Sequence, residues 1–334
     1  KITKEKKKEH KPPDRVLQIT NNMISEKKED CNEKKAKNIK EQLNIFAEHK
    51  EKATRLQNIL FEIYGVESNR AHTIKRCGSE LVFRRYINND KSILESANFC
   101  KHKLCPFCAW RWHLKYSKVL METFKELGKG EYFHLVLTIP NVKHITKDFI
   151  ISLRERATQY IKKYLKIKDY FLSFEITVDK NGNYHPHYHV VFKNAGNIPT
   201  KKEMQKQWAK ISCCGKNYAI INLDKCTEDT KGISQELTKY ILKFDDKTLT
   251  KENILEVFKA THGIRKFSTS GEIKEAEKKA KDKIATNEFE ALQELGDDYF
   301  LDFYKWFGKG YEITECLSSE EMEERRGRRK NAND

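Results

Sequence analysis

Residues 170–192 constrain the fold more than any other stretch of this chain. Tyr170 to Val178 alternates, with Phe174, Ile176 and Val178 on one face and Ser173, Glu175 and Thr177 on the other. Asn183-Tyr-His185-Pro-His187-Tyr188-His189-Val-Val-Phe192 alternates in the same way, so His185, His187 and His189 project together. Asp179-Lys-Asn-Gly-Asn183 joins the two runs. A two-residue Asn181-Gly182 turn would set Glu175 opposite Tyr188 and mix polar with apolar faces. A three-residue loop, Lys180-Asn181-Gly182 with Gly182 left-handed, instead pairs Asp179 with Asn183, Glu175 with His187 and Phe174 with Tyr188. The second register keeps the apolar set on one side, and a one-residue slip would lose all of it. Two same-face imidazoles can close on one divalent cation when a neighbouring strand adds a ligand. Glu175 is the expected third ligand to His187 and His189, with His134 or His185 in reserve.

The charge balance points to a polyanionic partner. The 334 residues carry a formal net charge of +16, and the basic residues run through the folded part as well as the tail. No apolar run approaches the ~18 residues of a membrane span, and no charged-then-apolar leader opens the sequence. Nine cysteines, an odd number closely spaced in places, argue for reduced thiols and metal rather than disulfides. A reducing cytosol is the expected compartment.

Four of those cysteines fall between Cys77 and Cys108. Cys105-x2-Cys108 has the spacing with which two thiolates share a tetrahedral zinc, Cys100 precedes the pair, and Cys77-Gly78 offers a fourth thiolate from a distant turn. A structural Zn²⁺ is expected on Cys77, Cys100, Cys105 and Cys108, with His102 as a lower-ranked substitute. Lys101, Lys103, Arg111 and Lys115 interleave with Trp110 and Trp112, a pattern suited to phosphates and unstacked bases. The plainer account is that the tryptophans cover the metal site and its helix.

The remaining organisation is coarser. Residues 1–41 read as a basic flexible arm and 42–125 as a helical, Cys-rich zinc-binding segment. Residues 126–250 form the core, with a strand at Glu131–Pro140, helices at 147–166 and 200–211, and a strand at Tyr218–Leu223. Residues 251–334 read as a mainly helical region: mixed at 254–267, helical at 272–294, an aromatic-rich subdomain at 298–311 and a disordered tail. Within Ile233–Phe244 an apolar stripe recurs at helical spacing, with Glu236 and Tyr240 one turn apart beside it and Lys239 and Lys243 flanking. Read alone, Tyr240 is a half-buried packing residue.

These segments together resemble rolling-circle plasmid replication initiators of the HUH (His-hydrophobic-His) endonuclease superfamily. His187-Tyr188-His189 is similar to the metal motif, within the wider His185-Pro-His-Tyr-His-Val form of a bacterial plasmid group. Leu135-Val-Leu-Thr-Ile-Pro-Asn141 is similar to that group's first motif, and Cys100-x4-Cys-Pro-x-Cys-Ala-Trp-Arg111 to its cysteine motif. Glu236-Leu-Thr-Lys-Tyr240 resembles its nucleophile helix. The similarity spans about residues 70–275.

The resemblance implies an α+β fold: an antiparallel sheet with the HUH metal site on one face, flanking helices, a zinc-binding segment before it and a mainly helical region after it. It implies Tyr240 as the nucleophile that gives a 5′-phosphotyrosine and a free 3′-hydroxyl, and Glu236 as general base for water in termination. Mn²⁺ or Mg²⁺ suits the His and carboxylate ligands. Lys239, Lys243, Arg111 and Trp110 are the expected DNA contacts. Plasmid origin DNA, single-stranded at the nick, is the implied partner, with a host helicase and DNA polymerase and no membrane. Rival readings are a single-strand transposase or relaxase with the same motif, a metal-dependent hydrolase in which Tyr240 is core, and a zinc-containing nucleic-acid-binding protein without nuclease activity.

Overall fold

The structure, a computed structural model, describes residues 31–331 apart from 66, 88–90, 129, 194–195, 197, 215–219, 227–249 and 297. The chain divides into two units. One comprises the residues up to Glu48, Glu80–Ala97 and everything from Leu295; the other comprises His49–Ser79 and Asn98–Glu294. The expected boundaries at 41, 125 and 250 do not coincide with this division. No described helix is long and apolar enough to cross a membrane.

The larger unit is built on a five-stranded antiparallel sheet. Its strands are β3 (Tyr132–Thr138), β4 (Tyr170–Val178), β5 (Tyr184–Lys193), β6 (Ile221–Lys225) and β7 (Phe267–Ser270), in the order β6-β3-β5-β4-β7. The β4–β5 register is the one that matched faces require, with Glu175 opposite His187 and Phe174 opposite Tyr188. The turn has Asp179 N–H donating to the Asn183 carbonyl at 2.9 Å. Gly182 has φ +79°, a conformation in which a side chain would be strained.

Each face of this sheet carries helices. On one, Phe174 and Tyr188 pack with ring centroids 5.0 Å apart, and the Tyr188 hydroxyl donates to the Ile150 carbonyl of helix α4 (Lys147–Gln159). Helix α5 (Lys201–Ser212) starts on a Thr200–Glu203 capping box and seats the fully buried Trp208, whose Nε1 donates to the Thr138 carbonyl at 2.6 Å. On the other face, Phe171, Val191 and Phe267 form a cluster with Leu120, Phe124 and Ile273. Leu120 and Phe124 come from α3 (Pro106–Leu127), and Ile273 from α7 (Gly271–Glu294). Pro106 at the first position of α3 suits a helix start, because its missing N–H would have had no partner. This packing joins the cysteine segment to the sheet as one unit, where the sequence reading had drawn a boundary. Helix α6 (Lys251–Thr261) stands where residues 254–267 read as mixed; Thr250 and Asn253 cap it.

The smaller unit is a four-stranded antiparallel sheet, β2-β1-β8-β9, of β1 (Glu80–Tyr86), β2 (Ser92–Ala97), β8 (Tyr299–Trp306) and β9 (Tyr311–Ser318). The C-terminal region is thus mainly helical, as expected, and also contributes a hairpin that the sequence reading did not foresee. Arg85 bridges to the buried Asp302 at 2.6 and 3.0 Å, and the Arg84 guanidinium lies 4.3 Å from the Tyr299 ring centre. The tail is also corrected. Ser319–Asn331 is helical (α8), because Ser318 and Glu321 cap it reciprocally and Arg325 pairs with Glu315 at 2.9 Å. Similarly, the first described helix, α1 (Cys31–Tyr64), which precedes the short α2 (Asn69–Arg76), starts within the expected flexible arm.

Candidate metal and nucleic-acid site

Neighbouring strands deliver three ligand side chains to one point. The Nε2 atoms of His187 and His189 lie 3.3 and 3.2 Å from the same carboxylate oxygen, Oε2 of Glu175. All three side chains are nearly shut off from solvent, at 11, 7 and 6% exposure. Ligand atoms bound ~2.1 Å from one octahedral ion sit about 3 Å apart, so the separations suit a small divalent cation. Burial pushes the Glu175 carboxyl up, but the hydrogen bonds from His187 and His189 outweigh it and hold the group well below the usual carboxylate range.

The other ring nitrogens have partners of their own. His187 Nδ1 lies 3.1 Å from the His185 carbonyl, and His189 Nδ1 lies 3.0 Å from His134 Nε2. A proton on each Nδ1 satisfies both contacts and leaves each Nε2 lone pair for a metal. His134, a reserve ligand by sequence, therefore stands behind His189. His185, the other reserve, turns away: its Nδ1 meets Asn141 Oδ1 at 2.7 Å, and Asn141 donates to Asp179 at 2.8 Å. Neither belongs to the group of close ligand atoms, which is Glu175, His187 and His189.

A second cluster gathers the four cysteines. Their sulfurs approach at 3.4 Å (Cys77–Cys108) and 3.6 Å (Cys100–Cys108 and Cys77–Cys105), too long for disulfides. Four thiolates ~2.3 Å from a tetrahedral ion would be about 3.8 Å apart. Hydrogen bonds from Cys100, Cys105 and Cys77 hold the Cys108 thiol far below its ordinary value. Cys77 reaches the cluster from a turn in which Gly78 has φ +66°; a Cβ there would strike the Phe107 ring at 2.6 Å. His102 is not a ligand. It stacks on Phe258 at 4.2 Å, accepts the Leu104 N–H through Nδ1, and is pushed down to about 4 by burial.

Sequence reasoning missed Lys50. Its ammonium is buried and donates to the Lys75 and Cys77 carbonyls at 2.6 and 2.7 Å, beside the cysteine cluster. Four thiolates on a divalent ion leave a net charge of −2, which a buried cation at this position offsets. The only signal in the sequence is a lysine among the apolar positions of α1.

The expected DNA contacts fare differently. Trp110 is corrected: it is 6% exposed and stacked on His49 at 4.4 Å, so its ring is not offered to solvent. Arg111 lies over the Phe99 ring at 4.2 Å. Trp112, two residues on, is 56% exposed. Near the trio, burial pushes the Lys266 ammonium down to about 7, with Glu175 pulling the other way. Glu236, Lys239, Tyr240 and Lys243 lie outside the described residues.

Comparison with known proteins adds a family. A family model described as "Replication protein" matches residues 91–309. The chain is 30% identical over 252 residues to Protein rep of Lactiplantibacillus plantarum, covering 66% of this chain and 78% of that one. It is 29% identical over 255 residues to Protein rep of Lentilactobacillus hilgardii, covering 67% and 80%. Against Protein rep of Streptococcus pneumoniae serotype 2 it is 30% identical over 205 residues, covering 55% and 63%. No solved structure matches.

Proposed function

The chain belongs to the replication-protein family, and from that premise we propose that it initiates rolling-circle plasmid replication by nicking one DNA strand at the origin. The observation that carries this reading is the convergence of His187 and His189 Nε2 on Glu175 Oε2. A divalent ion, Mn²⁺ or Mg²⁺, held by these three supplies Lewis-acid polarisation of the scissile phosphate when bound. Glu175 brings the negative charge, and His134 and the His185 carbonyl hold the two imidazoles in the ligating tautomer.

Tyr240 is the proposed nucleophile. Its phenolic oxygen bonds to phosphorus, the bond from phosphorus to the 3′ oxygen breaks, and the 3′ oxygen leaves as a hydroxyl that a polymerase can extend. The phenol's proton balances that leaving group. The resulting 5′-phosphotyrosine conserves the bond energy for later rejoining. Glu236, one helical turn away, is the proposed general base that lets water end the cycle. The four cysteines are read as a structural Zn²⁺ site that fixes the start of α3. Host helicase and polymerase are the proposed partners, and the cytoplasm the proposed compartment.

Incubating the protein with Mn²⁺ and single-stranded origin-like oligonucleotides tests this reading. A covalent protein–DNA adduct that survives denaturant and vanishes in Tyr240→Phe is expected. Cleavage without an adduct would indicate a hydrolase, and binding without cleavage a binding module.

A further inference from the structure

We infer that Trp112 is a stacking platform for an unpaired base of single-stranded DNA running past the Glu175–His187–His189 trio. The inference takes its strand from the nicking reading, although the binding step it describes needs neither metal nor cleavage.

Three nearly parallel rings make the platform. Tyr116 and Phe267 stack at 4.6 Å and 4°, and Trp112 lies 5.7 Å from Tyr116 at 20° and 6.0 Å from Phe267 at 18°. Phe267 is rooted in the core cluster with Phe171 and Leu120, and Tyr116 is tied to Glu277 by a 2.6 Å hydrogen bond. The third member remains 56% exposed. A single exposed apolar side chain needs no explanation in itself. This one lies beside a rigid aromatic pair with its ring nearly parallel to theirs, and so offers a base an aromatic surface held in place.

Two lysines lie against the same rings, Lys281 in an ion pair with Glu277. Lys281 Nζ lies 5.7 Å from the centre of the Tyr116 ring and Lys266 Nζ 4.8 Å from that of Phe267. The Arg265 charge also bears on the Tyr116 phenol. Aromatic rings interleaved with basic side chains are how proteins hold single strands without reading sequence, stacking the bases and tracking the phosphates.

The sheet register fixes the platform's place. Phe267 pairs with Ser173, and Ser173 with His189, so the Phe267 side chain leaves the sheet on the face that carries Glu175, His187 and His189. One strand spacing and two residues separate Phe267 from Glu175, about 8 Å between Cα atoms. A duplex hides its base faces, so the occupant that fits is a single strand with a base turned outward.

The test is fluorescence anisotropy of the full chain with a labelled oligodeoxythymidine in buffer without added Mn²⁺ or Mg²⁺, which withholds the cation that cleavage needs and leaves the cysteine cluster undisturbed. Trp112→Ala should weaken single-strand binding about tenfold, as the loss of one stacked base implies. Trp112→Phe should retain most of the affinity, and duplex of equal length should bind both variants as it binds the wild type. Unchanged single-strand affinity in Trp112→Ala would overturn the inference, and so would equal losses for single strand and duplex. An RNA strand bound as tightly, with the same dependence on Trp112, would overturn its assignment to DNA. Since binding is read without the catalytic cation, absence of nicking in a separate assay sinks the nicking reading and not this one. Normal nicking with wild-type binding by Trp112→Ala sinks only this one.

Discussion

Glu175 faces His187 directly across the β4–β5 ladder, and its Oε2 lies 3.3 Å from the imidazole Nε2. Strand pairing, rather than loop placement, therefore presents the acidic member of the trio. Replacing Glu175, His187 or His189 with alanine should lower Mn²⁺ affinity by more than ~100-fold, beyond what a supporting residue gives. Calorimetric titration measures this, and wild-type affinity in any of the three would remove that residue from the site.

His134 should behave as a supporting residue. Its Nε2 is 3.0 Å from His189 Nδ1 and orients the ring without joining the ligand group. His134→Ala should weaken Mn²⁺ binding by roughly 10- to 100-fold and leave the stoichiometry unchanged. Complete loss of binding would make it a ligand instead.

The cysteine cluster carries a different prediction. Native mass spectrometry of the purified protein should find one tightly held zinc that Cys105→Ser loses. Stability should fall by several kcal/mol in the variant or on chelation. Lys50→Met should weaken zinc retention by removing the buried counter-charge beside Cys77. Zinc content and melting temperature that are unmoved by Cys105→Ser would rule the site out.

The turn between β4 and β5 should respond to acid in a defined window. The Asn183 side chain, then the Asn183 and Asn181 N–H groups and Asn141, hold the Asp179 carboxyl down at about 2. Because the folded value lies below the unfolded one, near ~3.9, the stabilisation is complete above pH ~4. It is lost as pH falls toward about 2. NMR titration of the Asn181 and Asn183 amides should follow that lower midpoint, and Asp179→Asn should abolish the transition. A midpoint at the ordinary aspartate value would contradict the capping role.

How far the sequence discloses this fold depends on whether each constraint is local. β4 and β5 were legible because period-two alternation and a five-residue turn leave a single register that keeps Phe174 and Tyr188 together. The cysteine cluster was legible because its spacing has few structural uses. The β8–β9 hairpin was not. Consecutive aromatics at Tyr299-Phe300 and Phe303-Tyr304 blur the alternation, and the partner strand β1 lies more than 200 residues away, as the Arg85–Asp302 separation of 217 shows. Trp110 and Trp112 were grouped although residues two apart on a helix point in nearly opposite directions. One had to be covered, and it is Trp110. In α6, Ile254, Val257, Phe258 and Thr261 keep helical spacing and are all buried, but Asn253 in place of a glutamate or glutamine disguised the capping box.

The central claim is that the Glu175–His187–His189 site activates a phosphodiester for attack by Tyr240. Peptide mass mapping of the protein after reaction with Mn²⁺ and a single-stranded origin oligonucleotide tests it most directly. The account predicts a nucleotide attached to the peptide containing Tyr240, formed only with the metal and absent in His187→Ala and His189→Ala. An adduct on another residue, or one on Tyr240 that forms equally well in those variants, would contradict it.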